Sequence, residues 1–141
     1  MKKLLLPVFL LLSVYAADAQ WVRMKDETGN AGKVEWKTRQ HNRGKTFQGQ
    51  AQEFVYPFTN VSQDTLIIYQ VKNTCPCNKV SWTEGLIPPG QSGEVRVVYD
   101  GLALGEYYKI IPVLTNFDPK NELVLVFRGE VQKVISTEEY R

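Results

Sequence analysis

Two cysteines separated by one proline are the residues of this sequence best suited to chemistry. Cys75 and Cys77 flank Pro76 and are the only cysteines among 141 residues. Thiols at this spacing can form a local disulfide, remain free or pair between molecules, exchange with other thiols, or hold a soft ion such as Cu(I). A soft-metal site would need further ligands, for which His41 and Met24 are the candidates. A disulfide closing so short a loop would add only about 1.6 kcal/mol of stability before strain.

Hydrolytic catalysis finds little support in the remaining residues. His41 is the only histidine and lies in a polar, basic segment, so we interpret it as an exposed residue of a loop or edge strand. Glu138 and Glu139 are adjacent and cannot flank one substrate from opposite sides. The chain contains no phosphate-binding glycine loop, HExxH motif or calcium loop. We therefore predict no catalytic residues, no cofactor and no enzymatic activity.

The first nineteen residues have the three parts of a secretory signal peptide. Lys2 and Lys3 precede an uncharged apolar run, and Ala17-Asp18-Ala19 fits the small-x-small cleavage pattern. We expect cleavage before Gln20, which leaves a mature chain of 122 residues in the periplasm or outside the cell. The apolar run is too short for a membrane span. A formal net charge of +2 also argues against nucleic acid as the main partner.

Short alternating runs of aromatic and β-branched residues, separated by turn residues about every ten positions, predict an all-β chain. We expect an immunoglobulin-like antiparallel β-sandwich of about seven strands. Residues 20–33 would be a flexible lead-in, 34–131 the domain and 132–141 a tail. The run from Tyr107 to Leu114 is apolar on both faces apart from Lys109, as expected of a central strand. The predicted strands are Phe54–Phe58, Leu66–Tyr69, Val80–Trp82, Val95–Tyr99, Tyr107–Leu114 and Leu123–Phe127.

The order and spacing of several short motifs resemble the bacterial family called domain of unknown function 1573. The motifs are Phe58-Thr59-Asn60, Cys75-Pro76-Cys77, Pro89-Gly90-Gln91-Ser92-Gly93, Val97-Val98-Tyr99-Asp100, Gly105–Asn116 and Leu123–Val131. The resemblance implies an exported immunoglobulin-like module, common in Bacteroidetes and similar to ciliary, centrosomal and major-sperm-protein-like domains. It brings no established activity. The usual Cys-Gly-Cys-Thr is here Cys75-Pro76-Cys77-Asn78, and Gln40–Gly44 departs from the aromatic-Asp-Phe-Gly pattern that usually precedes the first main strand.

Several surface features have two interpretations each. Five basic residues between positions 33 and 45 would either protect a sheet edge or attract an anionic partner: Lys33, Lys37, Arg39, Arg43 and Lys45. We expect Trp82 in the core, while Trp21 and Trp36 could be core or contact residues. Asn60-Val61-Ser62 is a formal N-glycosylation sequon in a predicted turn. Asp64-Thr65-Leu66 resembles a short O-glycosylation motif of Bacteroidetes or is simply a turn that leads into a strand.

These observations predict an exported, non-catalytic binding or structural module of the bacterial cell envelope. Its partner would be another envelope protein or a glycan, bound through an exposed sheet edge or the end loops. The alternative is a thiol redox or soft-metal module that uses the Cys75-Pro76-Cys77 loop.

Overall fold

The computed structural model describes residues 32–118, 120 and 123–135, and this part of the chain contains nine strands and no helix. None of it could therefore cross a membrane as an apolar helix. The predicted signal peptide, Trp21, Met24 and the Glu138-Glu139 pair lie outside the described residues. The strands are β1 Val34–Trp36, β2 Gln40–Phe47, β3 Gln52–Asn60, β4 Leu66–Val71, β5 Asn78–Trp82, β6 Leu86–Ile87, β7 Ser92–Tyr99, β8 Gly105–Thr115 and β9 Val124–Gln132.

The strands form two facing sheets, as the immunoglobulin-like sandwich requires. One sheet has the order β1-β3-β7-β5 and the other β2-β9-β8-β4-β6. The predicted fold class is confirmed, with nine strands among the described residues where about seven were expected. The short strands β1 and β6 carry too few residues for alternation to be visible. β2 runs parallel to β9, from Gln40 opposite Val126 to Phe47 opposite Gln132, whereas the other strand pairs are antiparallel.

The core lies between the two sheets and comes from the alternating residues that the sequence indicated. β3 and β7 contribute side chains that are buried almost completely, and they face equally buried residues of β8 and β9. The rings of Phe54 and Phe127 stack across the gap with centroids 4.4 Å apart. Trp82 is half-buried and packs against this core, as does Trp36. The main core side chains are Phe54, Tyr56, Phe58, Val95, Val97, Tyr99, Ile111, Val113, Leu125 and Phe127.

β8 is central in its sheet, but only one of its faces is covered. Ile111 and Val113 point into the core, whereas Tyr108 and Ile110 are 61% and 44% exposed. The predicted central position is therefore confirmed, but the apolar residues on the outer face of the strand are exposed. A central position protects the edges of a strand, but the outer face of this sheet has no third layer among the described residues to cover it.

One end of the sandwich is formed by the turns at residues 60–65, 88–91 and 116–118, and we call it the asparagine end. Asn60 is fully buried there. Its Nδ2 donates to the carbonyls of Asp64 and Ile87 at 2.8 and 2.9 Å. Its Oδ1 accepts from the backbone N–H and hydroxyl of Ser62 at 3.1 and 2.8 Å. The side chain is thus fully occupied in closing the turn, and a glycan on Nδ2 would break this network.

Candidate functional site

The structure joins Cys75 and Cys77 in a disulfide at the end opposite Asn60. Their Cα atoms are 5.1 Å apart, which is within the range that a disulfide spans. Pro76 restricts the backbone between them to a turned conformation. The backbone N–H of Cys77 lies 3.2 Å from Cys75 Sγ and donates to it. Both cysteines are half-buried, so each remains partly accessible to solvent.

Two asparagines hold this loop in place. Asn73 accepts from the Cys75 N–H at 3.3 Å and donates to the Asn78 carbonyl at 2.8 Å. The Asn78 N–H donates to the Cys75 carbonyl at 3.1 Å. The Asn78 side chain is buried, and its Oδ1 lies 3.7 Å from Cys77 Sγ. Cys77 packs against the hydrophobic core, and this contact gives the two sulfur atoms different surroundings.

Backbone hydrogen bonds link four segments in series, starting from the disulfide loop. Together they form what we call the cysteine end: residues 75–77, 100–104, 47–51 and 132–135. The Asp100 N–H donates to the Cys77 carbonyl at 3.0 Å. Gly49 N–H donates to the Gly101 carbonyl at 3.0 Å, and Gln48 N–H to the Gln132 carbonyl at 2.9 Å. Segments far apart in sequence therefore share one surface.

The cysteine end leaves several large apolar side chains in solvent. Their exposed fractions range from 51% to 80%. A shallow groove of about 440 Å³ lies between the turn at residues 47–50 and the segment 132–135. Monomeric proteins rarely expose apolar residues in clusters, so such a cluster indicates a contact surface. The exposed residues are Phe47, Leu102, Leu104, Val134 and Ile135.

A hydrogen-bonded network of polar side chains lies between the hydrophobic core and the cysteine end. The Tyr107 hydroxyl donates to Gln52 Oε1 at 2.7 Å, and Gln52 Nε2 donates to Thr46 Oγ1 at 2.7 Å. The Tyr99 ring lies 4.7 Å from that of Tyr107. Burial raises the pKa of both phenols, and the Asp100 charge raises that of Tyr99 further. These tyrosines therefore stay neutral at physiological pH. The hydrogen bond of Tyr107 and its ring contact with Tyr99 hold the strand ends that carry the cysteine end in place.

His41 does not belong to this site. It lies in edge strand β2, as one of the two predicted placements required, but it is half-buried rather than exposed. Its Nε2 lies 2.8 Å from the Val55 carbonyl, and its ring packs edge-on against Tyr56 at 4.8 Å. No group of three or more His, Cys, Asp or Glu in the described part of the chain could hold a metal ion. The soft-metal hypothesis thus lacks a third ligand of these types there.

The basic segment follows the two adjacent sheet edges β1 and β2. Lys33 and Lys37 flank β1, Arg39 precedes β2, and Arg43 and Lys45 lie in it. The Arg43 guanidinium donates to the Glu53 carbonyl and lies 4.9 Å from the centre of the Phe54 ring. This placement favours the edge-protection interpretation, because lysines and arginines on an edge strand oppose pairing with another chain.

Sequence reasoning identified the cysteines but missed the apolar cluster around them. Leu102 and Leu104 lie between the predicted strands Val95–Tyr99 and Tyr107–Leu114, and Phe47 ends the strand that contains His41, for which the sequence left a loop and an edge strand open. The one available signal was the apolar pair in Asp100-Gly101-Leu102-Ala103-Leu104-Gly105, since glycine-bounded loops are normally polar.

The two facing sheets and their strand order define an immunoglobulin-like β-sandwich domain. A family model described as Protein of unknown function (DUF1573) matches residues 34–131. The chain belongs to this family, as the resemblance implied. A comparison with curated proteins finds no match.

Solved structures with the same architecture come from bacteria and from human cells. A protein of unknown function from Porphyromonas gingivalis W83 is 18% identical with a TM-score of 0.59, covering 70% of this chain and 46% of that protein. An ASH/PapD-like domain of human CEP192 is 16% identical with a TM-score of 0.54, covering 74% and 88%. The VesB protease of Vibrio cholerae is 14% identical with a TM-score of 0.58, covering 74% and 33%. The present chain thus spans less than half of two of these proteins, and identities this low show the fold alone.

Proposed function

We propose that this protein is an exported, non-catalytic binding module of the bacterial cell envelope, and that the cysteine end is its contact surface. The observation that carries the proposal is the set of exposed apolar side chains on the segments that backbone hydrogen bonds link to the disulfide loop. The buried hydrogen bonds beneath it keep the surface pre-formed, which lowers the entropic cost of binding.

A protein partner fits this surface better than a glycan. Aliphatic and aromatic side chains at an interface gain free energy by excluding water from apolar groups of the partner. Glycan sites instead need several polar groups directed at sugar hydroxyls. The groove includes Gln48, Gln50, Gln132 and Lys133, so the preference for a protein rests on Leu102 and Leu104, whose exposed side chains are apolar. The proposed partner is therefore another envelope protein with an apolar contact segment.

The proposed location outside the cytoplasm agrees with the predicted signal peptide and with a disulfide, which persists in oxidising compartments. Fractionation of the producing bacterium, followed by intact-mass measurement, tests this part. We expect a periplasmic or extracellular protein that begins at Gln20. A cytoplasmic protein that keeps its first nineteen residues would contradict it.

Site-specific photo-crosslinking tests the contact surface. A photoreactive residue at Leu104, at the cysteine end, is compared with one at Leu86, which lies in β6 beside the asparagine end. Leu86 is the matched control because it is also an exposed leucine, at 72% against 53% for Leu104. We expect a defined protein adduct from position 104 and none from position 86. Equal labelling at both positions, or none at either, would contradict the proposal.

A second measurement quantifies the same contact. Once the adduct identifies the partner, its affinity is measured for the unmodified protein, for Leu102→Ser with Leu104→Ser, and for Leu86→Ser. We expect the double variant to bind at least about tenfold more weakly, since each buried leucine at an interface contributes on the order of 1 kcal/mol or more. An unchanged affinity would show that the partner binds elsewhere.

A further inference from the structure

We propose that the Cys75–Cys77 disulfide reversibly captures a thiol-bearing polypeptide by exchange at Cys75. The inference deepens the proposed function and rests on it in one respect, because the same polypeptide contacts the apolar side chains of the cysteine end. It assigns a class of partner, a polypeptide with an accessible cysteine beside apolar residues, and a different role to each sulfur.

The surroundings of the two sulfur atoms decide which one is attacked. Cys77 packs against the hydrophobic core, whereas Cys75 is not among the side chains packed there. A thiolate attacks a disulfide along the sulfur–sulfur axis, from the side opposite the leaving sulfur. Attack on Cys75 therefore comes from the side away from the core, while attack on Cys77 would need an approach from the other side.

The exchange needs no external oxidant. The partner thiolate attacks Cys75 Sγ and forms a new sulfur–sulfur bond to it. The Cys75–Cys77 bond breaks, and its electron pair passes to Cys77 Sγ, which takes a proton from water. One disulfide is lost and one is formed, so the capture reverses when Cys77 attacks Cys75 and releases the partner thiolate.

Asn78 is placed to accept a hydrogen bond from Cys77, the cysteine that leaves in the exchange. Its Oδ1 lies 3.7 Å from Cys77 Sγ, within reach of a hydrogen bond from a thiol. A disulfide sulfur has no proton to donate, but the Cys77 thiol formed by the exchange does. The Asn78 side chain is buried, and its Nδ2 has no partner among the described residues. Opening the disulfide leaves Nδ2 as it is, but it gives the buried Oδ1 a thiol donor that the closed disulfide cannot supply.

The apolar cluster lies where a captured polypeptide would continue. Asp100 donates its backbone N–H to the Cys77 carbonyl at 3.0 Å, and its carboxylate accepts from the Leu102 N–H at 3.1 Å. One residue therefore connects the disulfide loop to the leucine-bearing loop. Apolar residues that flank the partner's cysteine would contact Leu102 and Leu104 while the cysteine reaches Cys75.

Single-cysteine variants test the difference between the two sulfurs. Full-length Cys77→Ser and Cys75→Ser proteins are reacted with 5,5′-dithiobis(2-nitrobenzoic acid), and release of the coloured thiolate is followed. We expect Cys75 in the first variant to react at least about tenfold faster than Cys77 in the second. Equal rates, or a faster Cys77, would overturn the assignment. Cooperative thermal unfolding of both variants shows that the comparison is made on folded protein.

Capture by the intact disulfide is tested with two thiols. The oxidised protein is incubated with glutathione or with a peptide that carries one cysteine between leucines, then quenched with acid and alkylated. We expect the peptide on Cys75 and the alkyl group on Cys77 by mass mapping. The variant Leu102→Ser with Leu104→Ser should slow the peptide adduct at least about fivefold and leave the glutathione rate unchanged.

The outcomes separate the two proposals. An adduct on Cys77, or none with either thiol, overturns the exchange mechanism, while the crosslinking at Leu104 still decides the binding function. A peptide rate that the leucine variant does not change contradicts docking at the cysteine end, although exchange at Cys75 stands. A double variant Cys75→Ala with Cys77→Ala must give no adduct, since any signal there comes from another group.

Discussion

The two ends of the sandwich are closed by different means. The asparagine end uses polar side chains, buried for Asn60 and Asp118 and exposed for Asn116, that accept or donate hydrogen bonds and so hold the turns. Besides Asn60, the Asp118 carboxylate accepts from the Leu123 N–H at 2.7 Å, and Asn116 pairs with both Ile67 and Thr65. The cysteine end has side-chain hydrogen bonds too, such as those of Asn73 and Gln52, but it adds a disulfide and backbone hydrogen bonds between segments far apart in sequence.

This difference determines which side chains remain available for contacts. At the asparagine end, the polar side chains are used internally, and the large apolar residues that remain exposed are Val61 and Leu86. At the cysteine end, backbone hydrogen bonds and a disulfide share the connections with polar side chains, and five large apolar side chains project into solvent. Substitution of the polar side chains at the first end should therefore change stability, whereas substitution of the exposed apolar side chains at the second should change binding.

The largest effect is expected from Asn60→Ala. The substitution removes four hydrogen bonds and leaves buried backbone groups without partners. At about 0.5–1.5 kcal/mol each, the free energy of unfolding should fall by about 3 kcal/mol. Urea unfolding measures it. Asn42→Ala is the matched control, because the exposed Asn42 side chain accepts one hydrogen bond, from Gly44 N–H at 3.1 Å. A loss below about 1 kcal/mol for Asn60→Ala would show that the asparagine does not close this end.

Gly101→Ala should have the next largest effect, at the cysteine end. Gly101 has a φ of +66°, and a Cβ atom there would lie 2.4 Å from the Gln50 carbonyl oxygen. The left-handed conformation and this clash together should cost about 2 kcal/mol. Gly85→Ala measures the cost of the left-handed conformation alone, because Gly85 has a φ of +85° and open space where a Cβ atom would lie. Equal losses for the two variants in thermal unfolding would mean that the contact between the two loops is not tight.

Local pattern predicted much of the fold but not its edges. β3 and β7 are visible in the sequence because every second residue is buried between the sheets. The sequence around His41 left a loop and an edge strand both open, because an edge strand needs few apolar side chains and Gln40–Phe47 is mostly polar. β6 is only two residues long, so no periodicity can reveal it.

The candidate site was predictable only in part for a different reason. Cys75 and Cys77 are recognisable from their spacing, since the chemistry is local. The apolar surface around them joins segments near Phe47, Leu102 and Ile135, whose proximity depends on strand order in both sheets. The hydrophobicity and turn residues of one segment do not show which other segments lie beside it. The surface could therefore be recognised only in the folded structure.

A smaller effect is expected from Tyr107→Phe, which tests the buried network under the cysteine end. Loss of the hydroxyl leaves Gln52 Oε1 without its donor and should cost about 1 kcal/mol. Burial raises the pKa of Tyr107 and Tyr99 in the folded protein. Above about pH 10 the unfolded chain loses these protons first, so their stabilising contribution, complete below that pH, is lost as the pH rises towards the folded-state values.

The pH dependence gives this prediction a second readout. Urea unfolding at pH 7 and at pH 10.5 should show a smaller alkaline loss for Tyr107→Phe than for the unmodified protein. Tyr108→Phe is the control, because Tyr108 is exposed and its substitution should change stability by less than about 0.5 kcal/mol at pH 7. An alkaline loss as large in Tyr107→Phe as in the unmodified protein would mean that Tyr107 does not contribute to it.

The smallest effect on stability, and the sharpest test of the comparison, is expected from Leu102→Ser with Leu104→Ser. Both leucines are more than half exposed, so their replacement should change the free energy of unfolding by less than about 0.5 kcal/mol. Urea unfolding of this variant and of Leu86→Ser should therefore give similar curves. A loss above about 1.5 kcal/mol in the double variant alone would mean that the leucines stabilise the loop between β7 and β8. Near-equal stabilities, combined with weaker partner binding in the double variant alone, would show that their free energy of burial is realised in the complex rather than in folding.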